Sequence, residues 1–328
     1  MIKVKLTFPF LEWPIERQTS KHSGVWENCD FLINKPVKKC DYWVVFDGLV
    51  KKDKTICPKG NTILITAEPP TIREYDQQFI NQFDTVITCH KSIKHKNPVY
   101  NQQGLPWHVG RRQKNHINMS FSKDYDELMS IYNFHKDKQI SVISSTKDFS
   151  IGHRKRIEFV DILKQHFGDQ IDVFGRGYRE IEDKWDGLAR YKYHIALENS
   201  SIENYWTEKL GDAYLAGCYP IYYGCPNIEK YFKPSALTII DITYPEKAIQ
   251  IIESCLKASK YEYTKQEIKK AKQDVLNRYN LFAMICEYIN TNQPALNKAD
   301  YVKIKIRKEP SKSNIFNRIR SFVGRIRS

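Results

Sequence analysis

Residues 191–224, YKYHIALENSSIENYWTEKLGDAYLAGCYPIYYG, gather the side chains of this chain best suited to chemistry. The apolar run Ile195-Ala196-Leu197 ends in Glu198-Asn199-Ser200. After a polar loop, Thr207-Glu208-Lys209 opens a helix in which Leu210, Ala213, Tyr214 and Gly217 recur at i, i+3, i+4 and i+7, so they line one buried face. Tyr219 to Tyr223 return as a strand closed by Gly224. Polar groups therefore collect at the C-terminal end of one strand and the N-terminal end of the next helix, where open α/β sheets hold ligands. The free N–H groups of a helix start favour an anion such as a diphosphate, and Lys209 adds a fixed positive charge.

A second basic cluster lies in GHRKRIEFVDIL, residues 152–163. Ile157, Val160 and Leu163 share a helix face, which puts Arg154 and Arg156 near the helix N-terminus, where positive charge opposes the dipole. That local cost makes sense if one of them holds an anion; a solvated charge cluster is the plain alternative. Two carboxylates end strands in the first half of the chain. Asp47 follows Tyr42 to Phe46, and Glu68 follows Ile63 to Thr66, ahead of two prolines that stiffen its loop. On its own, each is an ordinary solvated loop residue.

The 191–224 stretch resembles the donor-binding motif of family 10 glycosyltransferases, the α-1,3/α-1,4-fucosyltransferases. The resemblance is carried by Tyr191-Lys192-Tyr193, Glu198-Asn199-Ser200, Tyr205-Trp206-Thr207-Glu208-Lys209-Leu210 and Pro220-Ile221-Tyr222-Tyr223-Gly224, in the family's order and spacing. A weaker likeness extends over roughly residues 60–245. It implies a GDP-fucose donor, an inverting transfer and two facing Rossmann-like domains of glycosyltransferase-B type. It also implies roles for single residues. Glu68 becomes the catalytic base, since Phe83-Asp84-Thr85-Val86-Ile87 matches the family segment that follows that glutamate; Asp47 is the runner-up. Glu208 contacts the fucose hydroxyls, Tyr205 and Asn199 lie near the sugar and phosphates, and Lys209 offsets the diphosphate charge. Spacing favours Arg156 as the phosphate-contacting arginine, with Arg154 the alternative. Glu198 is expected to support the site, because a carboxylate beside a diphosphate would repel it. Arg176 lies in Phe174-Gly175-Arg176-Gly177, a turn that resembles a family turn and is read as backbone shaping with nucleotide contact.

Metal-dependent transferases neutralise the diphosphate with a cation on an Asp-x-Asp motif. The match here, Asp124-Tyr125-Asp126, falls in a polar helical stretch and reads as a solvated helix face. The histidines show no ligand spacing. No metal site and no cofactor are expected, and arginine, lysine and helix N–H groups are left as the phosphate clamp.

Around these residues the chain alternates strands and helices. Strands are expected at 2–8, 42–46, 62–66, 85–88, 140–144, 171–174 and 237–241. Helices are expected at 72–83, within 121–139, at 153–167, and within 245–258 and 264–290. Continuous β-branched runs separated by helices indicate parallel sheets covered on both faces. The 328 residues, 41% hydrophobic, divide into an acceptor-side α/β domain (1–138), a GDP-sugar-binding α/β domain (139–295), and a linker with a basic tail (296–328). Residues 301–328 hold nine Lys/Arg against one acid, a surplus of eight in a chain of net charge +14. In residues 314–327, Ile315, Phe316, Ile319, Phe322, Val323 and Ile326 fall on one helical face flanked by arginines, the pattern of a helix lying in an anionic membrane surface. Docking of that helix on the protein body is the alternative.

No stretch is long and apolar enough to span a membrane, and the N-terminus lacks a signal peptide's apolar core. The eight cysteines, with no C-x-x-C pair, read as reduced buried thiols of a cytoplasmic protein. Two other functions fit less well: the same fold with another GDP-sugar, and a basic nucleic-acid-binding protein, disfavoured because the charge sits in one tail and no nucleic-acid module appears. Loops 21–39 and 99–118 are the candidate surfaces for a glycan acceptor, with α-1,3 transfer to GlcNAc or glucose expected from the resemblance.

Overall fold

In the computed structural model, residues 1–310 are described apart from 12, 115–117, 149 and 293–299, with backbone alone for 113, 114, 118 and 119. The amphipathic segment 314–327 lies outside the described residues.

In chain order the first half contains β1 (Ile2–Thr7), β2 (Val25–Trp26), β3 (Cys29–Ile33), β4 (Tyr42–Phe46), β5 (Asp53–Pro58), β6 (Thr62–Ile65), α1 (Gln77–Ile80), β7 (Thr85–Thr88), β8 (Pro98–Tyr100), β9 (Arg111–Lys114), β10 (Asn118–Phe121) and α2 (Tyr125–Ser130). The second half contains β11 (Lys138–Ile143), α3 (Ile151–Phe167), β12 (Ile171–Phe174), β13 (Tyr191–Leu197), α4 (Glu208–Leu215), β14 (Tyr219–Tyr223), β15 (Thr238–Ile239), α5 (Pro245–Lys257), α6 (Lys260–Tyr263), α7 (Lys265–Asn277), α8 (Leu281–Asn292) and β16 (Tyr301–Ile306).

Two sheets result. The first has the order β2-β3-β1-β4-β6-β7-β8 and is parallel except for the β2–β3 pair. The second, β12-β11-β13-β14-β15, is parallel throughout. Each is covered on both faces, which is why β4 and β6 are buried along their whole length. In β4, Tyr42, Val44 and Phe46 pack toward α8 through Leu281, Phe282 and Ile285, while Trp43 and Val45 face Tyr75, Phe79, Phe83 and Ile306. The second sheet buries Phe159, Val160 and Leu163 of α3 together with Leu210, Ala213 and Tyr214 of α4, the helix face read from the sequence. Gly217, just beyond α4, has φ +71°, and an added Cβ would lie 2.3 Å from the Phe134 ring.

Four expectations change. The segment 72–83 is helical only at α1, because its polar groups bond elsewhere: Asp76 caps α1, and its own N–H donates to Glu309 Oε1 at 2.6 Å. The stretch 121–139 holds only the short α2, started by a capping box of Asp124 and Glu127; Asp124 also meets His22 Nε2 at 2.8 Å, and Asp126 accepts from Lys21 N at 2.7 Å. Loop 21–39 contains β2 and β3, part of the sheet itself. Residues 301–306, assigned by sequence to the linker and tail segment, form β16, which pairs antiparallel with β5 over six residues and buries Ile306 completely. With α8, the end of the described chain thus completes the first domain. The sequence signal was there in the alternation Tyr-Val-Lys-Ile-Lys-Ile, but it was hidden by charge.

Ile306→Ala should destabilise the protein by about 2–4 kcal/mol, as loss of a buried isoleucine side chain does, whereas exposed Lys303→Ala should stay within about 0.5 kcal/mol. Urea denaturation followed by tryptophan fluorescence measures both; equal midpoints would mean that β16 is not part of the cooperative fold.

Candidate active site

The start of α4 is built from charge. Thr207 is its N-cap, with Oγ1 accepting from Lys209 N at 3.2 Å. Thr207 is itself held by Glu198, which is fully buried at the end of β13. Oε1 accepts from Thr207 N at 2.8 Å, and Thr207 Oγ1 lies 2.9 Å from both carboxylate oxygens. Burial raises the Glu198 pKa, while Lys209 pulls it back. Gly224 makes room for this arrangement, since a Cβ there would sit 2.4 Å from Glu198 Cγ. Lys209 Nζ is 3.4 Å from Glu198 Oε2 and 3.2 Å from Glu208 Oε1. Burial works against its charge, but Glu208 and Glu198 outweigh that and hold it above the ordinary lysine value. Glu208 also meets Lys184 Nζ at 3.2 Å and His108 Nδ1 at 3.7 Å. Burial alone would raise its pKa, yet Lys209, His108 and Lys184 keep it well below the usual carboxylate range.

The first turn of α3 comes against the end of β13. At Gly152 a Cβ would fall 1.8 Å from the Asn199 carbonyl oxygen, so only glycine permits this approach. Directly after the buried His153, Arg154 turns outward to pair with Asp148 at 3.1 Å. Arg156 turns inward, 5% exposed, donates to Asn199 Oδ1, and lies 3.4 Å from the Ser145 carbonyl. Its Nε is buried with no hydrogen-bond partner among the described residues. Burial lowers its pKa, with Glu198 and Glu208 opposing. Arg176 is exposed in the turn after β12, on the side of Lys147.

From the other domain, Glu68 enters at the C-terminal end of β6. Its N–H donates to Tyr75 Oη at 3.2 Å and its carbonyl lies 2.7 Å from His90 Nε2. No described residue hydrogen-bonds its carboxylate. Burial raises the Glu68 pKa to about 7, reinforced by Asp47, with Lys209 opposing and Glu208 adding to the rise. Asp47, the alternative base, is committed: it pairs with Arg73 Nη1 at 2.6 Å and accepts from Tyr75 Oη at 2.5 Å. Buried Tyr205 lies close enough to Glu68 for that carboxylate, after burial itself, to raise the tyrosine's pKa. Between the domains, Thr71 Oγ1 and Ser200 Oγ are 2.5 Å apart, and Lys91 meets Glu203 at 2.7 Å.

The sequence model of glycosyltransferase family 10 (fucosyltransferase), C-terminal region, matches residues 133–303, just over half the chain. The chain belongs to this family. Among its relatives, the α-(1,3)-fucosyltransferase FucT of Helicobacter pylori is 36% identical over 78 residues, 24% of this chain and 16% of the relative. A putative fucosyltransferase-like protein of Arabidopsis thaliana is 36% identical over 95 residues, 28% and 18% of the two chains. GDP-fucose protein O-fucosyltransferase 3 of Danio rerio is 34% identical over 98 residues, 29% and 21%. The matches thus span about a fifth or less of these relatives. A solved α1,3-fucosyltransferase with GDP shares the fold at TM-score 0.51 and 16% identity, covering 85% of this chain and 92% of the other. A second α1,3-fucosyltransferase structure gives 0.50 at 18% identity, covering 90% of each. The fold is therefore the two-domain α/β arrangement that the family resemblance implies.

In this family 10 chain the structure brings together Glu68, Arg156, Asn199, Tyr205, Glu208, Lys209 and, beneath them, Glu198. It leaves Arg154 in solvent and Asp47 locked in an ion pair. Among the described residues no three His, Cys, Asp or Glu side chains converge as metal ligands. Sequence reasoning missed His108, Lys184 and Arg73. No local motif marks them: Arg73 lies in the same loop as Glu68, and His108 and Lys184 reach Glu208 from other segments of the chain.

The raised Glu68 pKa has a thermodynamic signature. Between the ordinary value of 4.5 and about 7, the folded chain keeps a proton there that the unfolded chain has released. The stability contributed by this group therefore falls as pH rises through that window. Glu68→Gln should raise Tm relative to the parent at pH 8 and lose that advantage by pH 4, read by scanning calorimetry; equal Tm values at pH 8 would mean an unperturbed carboxyl.

Proposed function

We propose that this chain is an inverting fucosyltransferase that moves L-fucose from GDP-fucose to a hydroxyl of a glycan acceptor, with α-1,3 transfer to GlcNAc or glucose as the first linkage to test. The observation that carries this reading is the meeting of an unbonded, proton-accepting carboxylate, Glu68, with the Lys209–Glu208 pair on the opposite domain. Glu68 takes the acceptor proton as that oxygen bonds to the anomeric carbon; the bond to the diphosphate breaks on the opposite face and GDP departs. The β-linked donor then yields an α-linked product. Glu208 and Asn199 hold the sugar, and Tyr205 closes it in beside Glu68. Lys209 and Arg156, whose Nε is still available for a bond, offset the diphosphate charge together with the N–H groups of α4. Glu198 fixes the helix start from below. The nearby solved structure carrying GDP supports the nucleotide, and family membership supports fucose. Without a metal role in this scheme, donor binding should survive EDTA.

Glu68→Gln should keep GDP affinity and lose about 10²–10⁴-fold in transfer, the usual span for a general base. Wild-type kcat/KM should fall as pH drops through about 7, where Glu68 takes up its proton. Lys209→Ala and Arg156→Ala should weaken GDP binding as well as turnover, and Arg154→Ala should leave both near native. A hydrolysis and transfer screen of GDP-sugars against free glycans and a protein acceptor measures these. Preference for another GDP-sugar would replace fucose in the scheme, and near-native turnover of Glu68→Gln would move the base elsewhere.

We also propose that residues 314–327 attach this cytoplasmic enzyme peripherally to an anionic membrane. Among the described residues no helix is long and apolar enough to cross a membrane. Anionic vesicles should bind the full chain and release it as salt rises, with each basic residue contributing roughly 1 kcal/mol. Phe316→Ser with Phe322→Ser should weaken binding even at low salt. Truncation after residue 310, which spares β16, should abolish it while transfer to a soluble acceptor persists.

A further inference from the structure

Behind Glu68 lies a relay of polar contacts that ends at the far end of the described chain. Tyr75 Oη accepts from Ala67 N at 3.0 Å and from Glu68 N at 3.2 Å and donates to Asp47 Oδ1. The carboxylate of Asp47, 4% exposed, is neutralised by Arg73 Nη1 at 2.6 Å, and the Arg73 guanidinium lies 4.3 Å over the Tyr75 ring. The other side of Arg73, Nη2, is taken by Glu309, 236 residues further along the chain. The second oxygen of Glu309 accepts from Asp76 N at 2.6 Å, so one carboxylate holds both the Arg73 side chain and the backbone three residues further on. Two residues earlier, Arg307 N donates to Gln82 Oε1 at 2.7 Å and Gln82 Nε2 returns a bond to the Arg307 carbonyl at 3.2 Å. Together with the β5–β16 ladder these contacts fix the position of Glu309.

We propose that Glu309 is a positioning residue for Glu68: it clamps Arg73, which fixes Asp47 and, through Tyr75, the backbone that carries the Glu68 carboxyl. The inference rests on the reading of Glu68 as the base. The charged groups facing that carboxyl are Asp47 and Arg73 from its own domain and Lys209 and Glu208 from the other, with His90 and Tyr205 beside it. Asp47 favours the protonated form of Glu68 and Arg73 the ionised form. If Arg73 loses its anchor and leaves Asp47, the uncompensated Asp47 charge makes Glu68 harder to ionise. If Glu309 were only a distant negative charge, removing it would make Glu68 easier to ionise. The two roles therefore move the titration in opposite directions.

The test is a carbon-13 NMR titration of the full chain labelled at glutamate carboxyls, with the Glu68 signal identified by its loss in Glu68→Gln. Arg73→Gln should move the Glu68 midpoint upward by roughly half a pH unit or more. Glu309→Ala should move it in the same direction, and Glu309→Gln, which keeps an oxygen for Arg73, should not raise it. The acid limb of kcat/KM should follow the same order, with GDP affinity unchanged because the donor clamp belongs to the other domain. A null or downward shift in Glu309→Ala overturns the proposal. Should that variant fail to fold, Glu309→Asp, one methylene short of Arg73, carries the same upward expectation at smaller amplitude, and its null result overturns the proposal equally. The NMR readout needs no turnover. If the chain proves not to use GDP-fucose while the midpoint still responds to residue 309, the transferase reading fails and the positioning role stands.

Discussion

Three ionisable side chains, Glu198, Glu208 and Lys209, share the few ångströms where β13 ends and α4 begins, Glu198 fully buried and the other two only partly exposed. A lysine in such a place keeps its charge only if carboxylates stay within reach. Here Glu198 stands below it at 3.4 Å and Glu208 beside it at 3.2 Å. Much of the surrounding structure preserves that balance. Thr207 spends its N–H and hydroxyl on Glu198. The glycine at 224 leaves space for the Glu198 side chain, and Lys184 and His108 share the charge of Glu208. An incoming anion at the helix start meets a cation whose charge is maintained before it arrives, so little reorganisation is needed on binding.

The same cluster requires the other domain to stand in one place. Residues 107–110 and 122–123 carry contacts to it. His108 N and Val109 N both donate to Asp212 Oδ1 in α4, at 3.0 and 3.2 Å, and Gly110 N and Ser122 Oγ reach Asp183. Buried Arg17 gathers the carbonyls of Trp107, Val109 and Lys123 from the opposite side. Burial drops its pKa to about 10, with Asp212 and Asp183 working against the drop; at physiological pH it remains a cation. The domains thus meet here through a layer of buried polar contacts.

The legible parts of this fold were those in which periodicity and local motif agree. The strand–loop–helix–strand of 191–224 lies within one or two residues of the reading, because its apolar runs are continuous and its turn chemistry is local. Spacing favours Arg156 over Arg154 without deciding between them; in the structure Arg156 lies on the side of α3 that faces Asn199, and Arg154 pairs outward with Asp148. Helix 72–83 failed because Arg73 and the Asp76 N–H find partners in Asp47 and Glu309, and that tertiary bonding overrides helix propensity. Strand β16 was missed because its exposed lysines suit an edge strand as well as a solvated linker. The roles of His108 and Lys184 depend on distances between segments, which no local pattern encodes.

The return of α8 and β16 to the first domain makes that domain discontinuous along the chain. During synthesis the second sheet, with residues 138–277, can close its own core while the first still lacks the helix over one face and the strand paired with β5. Until they arrive, Phe31, Val44 and Ile63 lack Leu281, Phe282 and Ile285 to cover them, and β5 presents an open edge. Pairings so distant in sequence form late and slowly. The half of the molecule made first is therefore the half completed last, and in the interval its exposed strands are the part of the nascent chain most in need of chaperone protection.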